Sequence, residues 1–374
     1  MAEPFKEAMN SSVVNVIGQV IKRVYPAFSV DAFMKYATDG LGQKELKERM
    51  LHVEQALNIY LPSDLEAFNR IALAALHPSD DTSGEGMICG PDGLCGFALW
   101  PLTALVTTRG IEQPEKALPV LKEMTKRFTA EFAIRPFLLK HTDVTLNILK
   151  WWVLDPNRHV RRLVSEGSRP RLPWGQRLQA FVADPAPILP LLETLKDDPE
   201  DYVRRSVANS LNDIAKDHPD LVASIAAEWL EGASENRRKL VRHACRTLIK
   251  NGHTATLAAF GYQPVAGLTA DIDIITPIVS FGEAVEFGLT LKKGRAHQDL
   301  VVDYAIHFIK ANGQSAPKVF KWKNIKLDKQ GQLYGHKKHA IKPITTRQYY
   351  AGHHKLEVFV NGISVGTALF ELKM

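Results

Sequence analysis

Apolar positions recur at intervals of three and four from the N-terminus to about residue 260. In ELKERMLHVEQALNIYL (45–61), Leu46, Met50, Val53, Leu57 and Tyr60 fall on one stripe, the spacing of an amphipathic helix. Pro62 ends it, and Ser63 with Asp64 suits the cap of the next helix, DLEAFNRIALAAL. Near residue 265 the period changes to two. AVEFGLTLKK, QDLVVDYAIHFIKA, VFKWKNIKL and HKLEVFVNGISVGTALFEL alternate apolar with polar residues and are rich in Val, Ile, Phe and Tyr, as strands are. Asn361-Gly362 between two such runs signals a hairpin turn. The pattern predicts a mainly α chain. A helical domain over 1–262 is followed by an immunoglobulin-like β-sandwich over 268–374, joined by GYQPVAGLTA (261–270).

The helical region repeats itself. DPNRHVRRLV, beginning at Asp155, returns as DPEDYVRRSV at Asp198, and KLVRHACRTL follows as a looser copy. A period of about 40–47 residues with two helices per unit is the mark of HEAT-like repeats, which stack into an α-solenoid because one helix pair cannot bury its apolar face alone. Each Asp-Pro suits the N-cap and first position of the second helix in its pair. Val160 and Val164 then face inward, as do Val203 and Val207.

Charge is unevenly spread. Residues 265–374 hold 15 Lys+Arg against 9 Asp+Glu, while 1–264 hold 32 of each, so the C-terminal part carries the whole net charge of +6. Such asymmetry points to an anionic partner or to a solvated lysine-rich face. The lysine-rich segments KKGRAHQ (292–298) and YGHKKHAIK (334–342), the latter with Lys337 and Lys338, read as loops on one side of the sandwich. His336 and His339 lack a third ligand for a metal. Three cysteines, Cys89, Cys95 and Cys245, make no disulfide framework and suit a reducing cytoplasm. Cys89 and Cys95 in ICGPDGLCG read as packed thiols in a Gly-rich turn. No secretory signal begins the chain, and the longest apolar run, GFALWPLTALV, is too short to span a bilayer.

The chemistry concentrates in DPNRHVRRLVSEGSRPRLPWG (155–175). Arg158, His159, Arg161, Arg162, Arg169 and Arg171 surround Glu166, and Trp174 follows. Arg161, Arg162, Arg204, Arg205 and Arg242 recur at one place in successive repeats. Guanidinium forks suit phosphate oxygens; each arginine alternatively pairs with the Asp of a neighbouring repeat. The Xaa-Pro steps of SRPRLPWG predict an extended loop presenting Arg169, Arg171 and Trp174 on a rim. A carboxylate in a phosphate-binding groove repels its ligand, unless a cation must be met there. Cleavage of an N-glycosidic bond develops such a cation on the sugar, which a carboxylate stabilises while positioning water.

These residues resemble the AlkC branch of the AlkC/AlkD alkylpurine DNA glycosylases. The similar segments are GLCGFALWPLT (93–103), FTAEFAIRPFL (128–138), HVRRLVSEGSRPRLPWG (159–175) and DYVRRSVANSLNDIAKDHP (201–219). The resemblance implies excision of cationic bases, 3-methyladenine and 3-methylcytosine, from double-stranded DNA. It implies action without full extrusion of the base, no metal or cofactor, and a monomer at the bacterial nucleoid. Its site positions carry over to Glu131, Glu166, Trp174 and Asp213, with Glu166 and Asp213 as the pair that positions water and stabilises the cation. A second tryptophan is not placed; Trp151 and Trp152 are adjacent on a helix and point about 100° apart. A DNA-binding or damage-sensing scaffold without catalysis is the rival reading, and a protein-binding scaffold for acidic peptides is another.

Overall fold

The computed structural model describes residues 5–78, 89–263, 265, 267–344 and 347–374. Two expected linker positions, Pro264 and Ala266, lie outside them. Two compact units divide at Asp213/Ile214, so the last helices share a unit with the sheets. No helix among the described residues is long and apolar enough to cross a membrane.

The first unit is built from helices and short 3₁₀ turns. Caps start several of them: Asn10, Ser29, Asp64 and Asn157 each accept a backbone N–H of the first turn. Met50, Val53 and Leu57 of the predicted stripe are buried in the helix Leu46–Tyr60. Val160, Val164, Val203 and Val207 are fully buried, each contributing about 1.5–3 kcal/mol of transfer free energy.

The Asp-Pro expectation needs correction. Neither aspartate caps its helix directly. Asp155 Oδ1 accepts from the Asn157 amide at 2.8 Å, and Asp198 Oδ1 from the Glu200 amide at 2.9 Å. Both form Asx-type turns, and the helices follow at Arg158–Gly167 and Asp201–Ile214. The proline keeps its preceding residue extended, which favours the turn.

In the second unit, the helices Pro219–Leu230, Glu235–Ala244, Arg246–Lys250 and Thr254–Ala259 precede eight strands among the described residues. These are β1 (Thr269–Ile274), β2 (Ile278–Ser280), β3 (Ala284–Lys292), β4 (Asp299–Ile309), β5 (Ser315–Lys326), β6 (Leu333–Ala340), β7 (Gly352–Val360) and β8 (Ile363–Lys373). One sheet has the order β1-β3-β6 and the other β2-β8-β7-β4-β5. Val285, Phe287 and Leu289 of the first pack with Tyr304, Ile306, Leu356 and Val358 of the second, a sandwich core. Asn361 and Gly362 make the β7–β8 turn with φ of 48° and 80°, as predicted. A Cβ on Gly362 would lie 2.0 Å from the Gly252 carbonyl oxygen, so only glycine lets the hairpin meet the helical segment. Asn361 fastens it further, accepting from the Val301 amide and donating to the Gln263 carbonyl.

YGHKKHAIK is mainly the strand β6, not a loop. It forms the edge of the three-stranded sheet, where lysines blunt pairing with other chains. His336 and His339 therefore point to opposite faces. His336 meets Glu286, while His339 Nδ1 shares a 2.8 Å hydrogen bond with the Tyr304 hydroxyl.

Candidate active site

The helix Arg158–Gly167 turns Val160, Leu163 and Val164 into the core. Arg162 and Glu166, four residues apart, share another face. At its end the backbone comes close to the turn before the helix Arg135–Lys140: a Cβ on Gly167 would lie 2.6 Å from Ile134 Cγ2. The chain then enters the loop 168–178, which Arg135 holds from below. Its Nη1 donates to the carbonyls of Gly167 and Arg169, both at 2.8 Å, and its Nε to that of Gln176 at 2.6 Å. Arg135 is 1% exposed, and its Nη2 has no hydrogen-bond partner among the described residues. Burial lowers its pKa to about 10, with repulsion from Arg169 adding to the effect. Further along, Trp174 adopts φ 62°, a conformation a bulky residue holds only when its surroundings impose it. The indole is 72% exposed and tilts against Phe5, with ring centres 6.1 Å apart.

The loop does not carry Arg169 on its rim as expected. Arg169 is buried and bridges the two predicted carboxylates, donating from Nη1 to Glu166 Oε1 at 2.6 Å and from Nε to Asp213 Oδ2 at 2.9 Å. The reason is local: two acids in a low-dielectric site need a cation between them. Glu166 Oε2 accepts from the Ser206 hydroxyl at 2.7 Å, and Ser206 is held in turn by Ser165. Arg162 donates to Glu131, lies 3.6 Å from Glu166 Oε1 and stacks over the Tyr202 ring at 5.3 Å. Burial opposes the charge of Arg162 and of Arg169. Glu166 with Glu131 outweighs it for Arg162, Glu166 with Asp213 outweighs it for Arg169, and both pKa values rise. Burial likewise raises the pKa of Tyr202.

Two concave surfaces meet at Glu131. A cleft of about 380 Å³ is lined by Glu131, Glu166, Arg169 and Trp174 with an aromatic wall of Phe97, Trp100, Phe128 and Phe132. A second of about 530 Å³ is lined by Glu131, Arg158, His159, Arg162 and Tyr202. Asp213 does not line the first cleft; it is 2% exposed and touches Arg169 behind it. Arg161 belongs to the inter-repeat ladder, its Nε and Nη2 bonding Asp198 at 2.6 and 3.0 Å. Arg204 stays within its own repeat, donating to the carbonyls of Asp198 and Pro199. Arg171 is half-buried in the loop, and Arg205 is exposed beside Asp201. Arg242, Lys337 and Lys338 belong to the second unit, where Lys338 pairs with Glu286 at 2.5 Å. Of the tryptophan pair, Trp152 is 6% exposed and Trp151 is 77% exposed. The second tryptophan of the cleft is Trp100.

Sequence reasoning missed Arg135, Trp100 and Ser206. The string FAIRPF carried one hint: an arginine among apolar residues must find acceptors. Ser206 had none, because a serine between arginine and valine is common on any helix.

Helical repeats followed by an immunoglobulin-like domain, with acids and arginines gathered in the first unit, define the class of protein. Residues 269–374 match the family model of the C-terminal Ig-like domain of uncharacterised protein YhaZ. Over 360 residues the chain is 36% identical to the uncharacterized protein YhaZ of Bacillus subtilis (strain 168), covering 96% of each. The solved structure of Pseudomonas fluorescens alkylpurine DNA glycosylase AlkC, bound to DNA containing an abasic site analog, superposes with TM-score 0.80 at 37% identity, covering 99% of each chain. The chain belongs to the AlkC-type alkylpurine DNA glycosylase family.

Proposed function

We propose that this protein is a DNA glycosylase acting in the bacterial cytoplasm on double-stranded DNA. It removes cationic alkylated bases, 3-methyladenine and 3-methylcytosine, without drawing them fully out of the stack. The observation that carries the reading is the meeting of Glu131, Glu166, Trp100 and Trp174 around one cleft, beside a surface bearing Arg158, His159 and Arg162. The bond from C1′ to the base nitrogen breaks, and its electron pair neutralises the departing base, so no general acid is required. Glu166, fixed by Ser206 and Arg169, faces the positive charge left on the sugar. Water then attacks C1′ and gives its proton to Glu131 or Glu166. Asp213 acts through Arg169, holding it so that Glu166 keeps one orientation. The indole of Trp174 meets the cationic base for about 0.5–2 kcal/mol. Arg158, His159, Arg171 and Arg205 grip phosphates, Arg162 being engaged by Glu131 and Glu166, and Arg242, Lys337 and Lys338 add charge from the second unit.

The test is release of free base from methylated duplex DNA by wild type, Glu166→Gln and Asp213→Asn. Loss of the Glu166 charge at the developing cation costs about 10²–10³ in rate, Asp213→Asn loses most release by freeing Arg169, and DNA affinity stays within a few-fold. Full release by Glu166→Gln would make Glu166 a structural acid; no release by wild type would leave the DNA-binding scaffold as the reading.

A further inference from the structure

A more spacious cavity in the first unit adjoins the catalytic cleft. It measures about 670 Å³ and is walled by Phe5, Trp100, Phe132 and Trp174. Three of these rings, Trp100, Phe132 and Trp174, also wall the catalytic cleft, so the two concavities adjoin. The lining also holds Glu45, Lys47, three threonines and Gln176, and among these walls sits one buried carboxylate, Glu54, 9% exposed. Its Oε1 accepts from the Thr108 hydroxyl at 2.6 Å. Glu131, Glu166 and Asp213 each meet an arginine; Glu54 meets none among the described residues. A carboxylate buried without a counter-ion favours a ligand that brings N–H donors.

Volume, walls and polar group fit one ligand class. A cavity of 300–1,000 Å³ with apolar walls and few polar groups is the usual form of a small-molecule site. Phe5 tilted against Trp174 and Trp100 tilted against Phe132 offer aromatic surface to a flat heteroaromatic, and the carboxylate accepts from an exocyclic amine. We infer that this cavity binds a free amino-purine, namely the excised base, after it has left the sugar in the adjoining cleft. The inference rests on the glycosylase reading for the identity of the base, but not for the existence of the site. Its consequence is product inhibition: a base held there keeps Trp174 from accepting the next lesion.

The experiment titrates the full chain, without DNA, with free 3-methyladenine and with adenine. It uses calorimetry and tryptophan fluorescence, with thymine as the pyrimidine control. Binding at one site is expected for the purines, with Trp fluorescence quenched. Ala104→Phe fills the cavity from the helix Trp100–Gly110, and Glu54→Gln keeps its shape while weakening the acceptor. Each is expected to weaken purine binding about tenfold. Added free base is expected to slow multiple turnover of wild type and to lose that effect in the variants. No purine binding by wild type, or undiminished binding in both folded variants, overturns the inference. Excision without purine binding sinks the cavity alone. Purine binding without excision sinks the glycosylase reading and leaves the cavity.

Discussion

Replacing Arg135 by methionine removes three hydrogen bonds from a guanidinium to main-chain carbonyls of residues 167–176. Charge-assisted bonds contribute about 1.5–3 kcal/mol each, but the three share one side chain and are not additive. The carbonyls left beneath the loop reach water only if the loop lifts. Relief of the buried charge offsets part of the loss, since burial already depresses the Arg135 pKa to about 10. A net destabilisation of about 3–5 kcal/mol follows. For a unit of this size that is a fall in Tm of very roughly 6–20 °C. Lifting the loop also moves Arg169 and Trp174, so the contact of Trp174 with the Phe5 ring is lost and the tryptophan emission should change in intensity. The assay is thermal unfolding with fluorescence detection, and Arg135→Lys, which keeps the charge but not the fork, serves as control and should fall between. An unchanged Tm and emission spectrum in Arg135→Met would refute the idea that this side chain holds the loop.

The remaining predictions are more local. Gly167→Ala forces a methyl group against Ile134 and should cost about 1–3 kcal/mol in denaturant unfolding; a neutral result would mean that the helix end yields freely. Burial raises the Asp303 carboxyl from 3.8 to about 6, against the opposing pull of Lys321. Because the folded pKa lies above the unfolded one, its stabilising contribution is complete below about pH 4 and is lost as pH rises through about 6. Asp303→Asn should therefore raise the midpoint of urea unfolding above pH 6 and leave it nearly unchanged near pH 4. Cys89 is held down at about 7 by a hydrogen bond from the Cys95 thiol, while burial pushes Cys245 up to about 12. Iodoacetamide at pH 8 should accordingly label Cys89 first, and mass spectrometry showing Cys245 modified ahead of it would contradict this. Finally, Arg158→Ala should lower the slope of log affinity for duplex DNA against log salt by about 0.9, whereas an unaltered slope denies Arg158 a phosphate.

Much of the architecture was legible because burial imposes a period. Val160, Val164, Val203 and Val207 lie where a 3.6-residue repeat puts them, and the Asn361-Gly362 hairpin follows from the backbone angles those two residues tolerate. The strand β6 escaped detection for a physical reason. Its half-covered face carries Gly335, Lys337 and His339 in place of branched apolar residues, with Trp322 close to Gly335 and Phe320 packed on His339. In the site, residue types near Glu166 could be read, but not their directions. Nothing local tells whether Arg169 points outward to phosphate or inward to acids; that choice is made by Asp213, 44 residues away. Arg161 and Arg162 are neighbours in an identical motif, yet one serves Asp198 and the other Glu131 and Glu166.

The fastening of the loop 168–178 has an evolutionary corollary. Arg135 grips main-chain oxygens, and a carbonyl is the same whatever amino acid bears it. The exposed side chains of that stretch, unlike buried Arg169 and Leu172, are therefore at liberty to change without dismantling the curve they ride on. Within such a lineage, recognition could be retuned one outward-facing residue at a time, while the arginine underneath stayed constant.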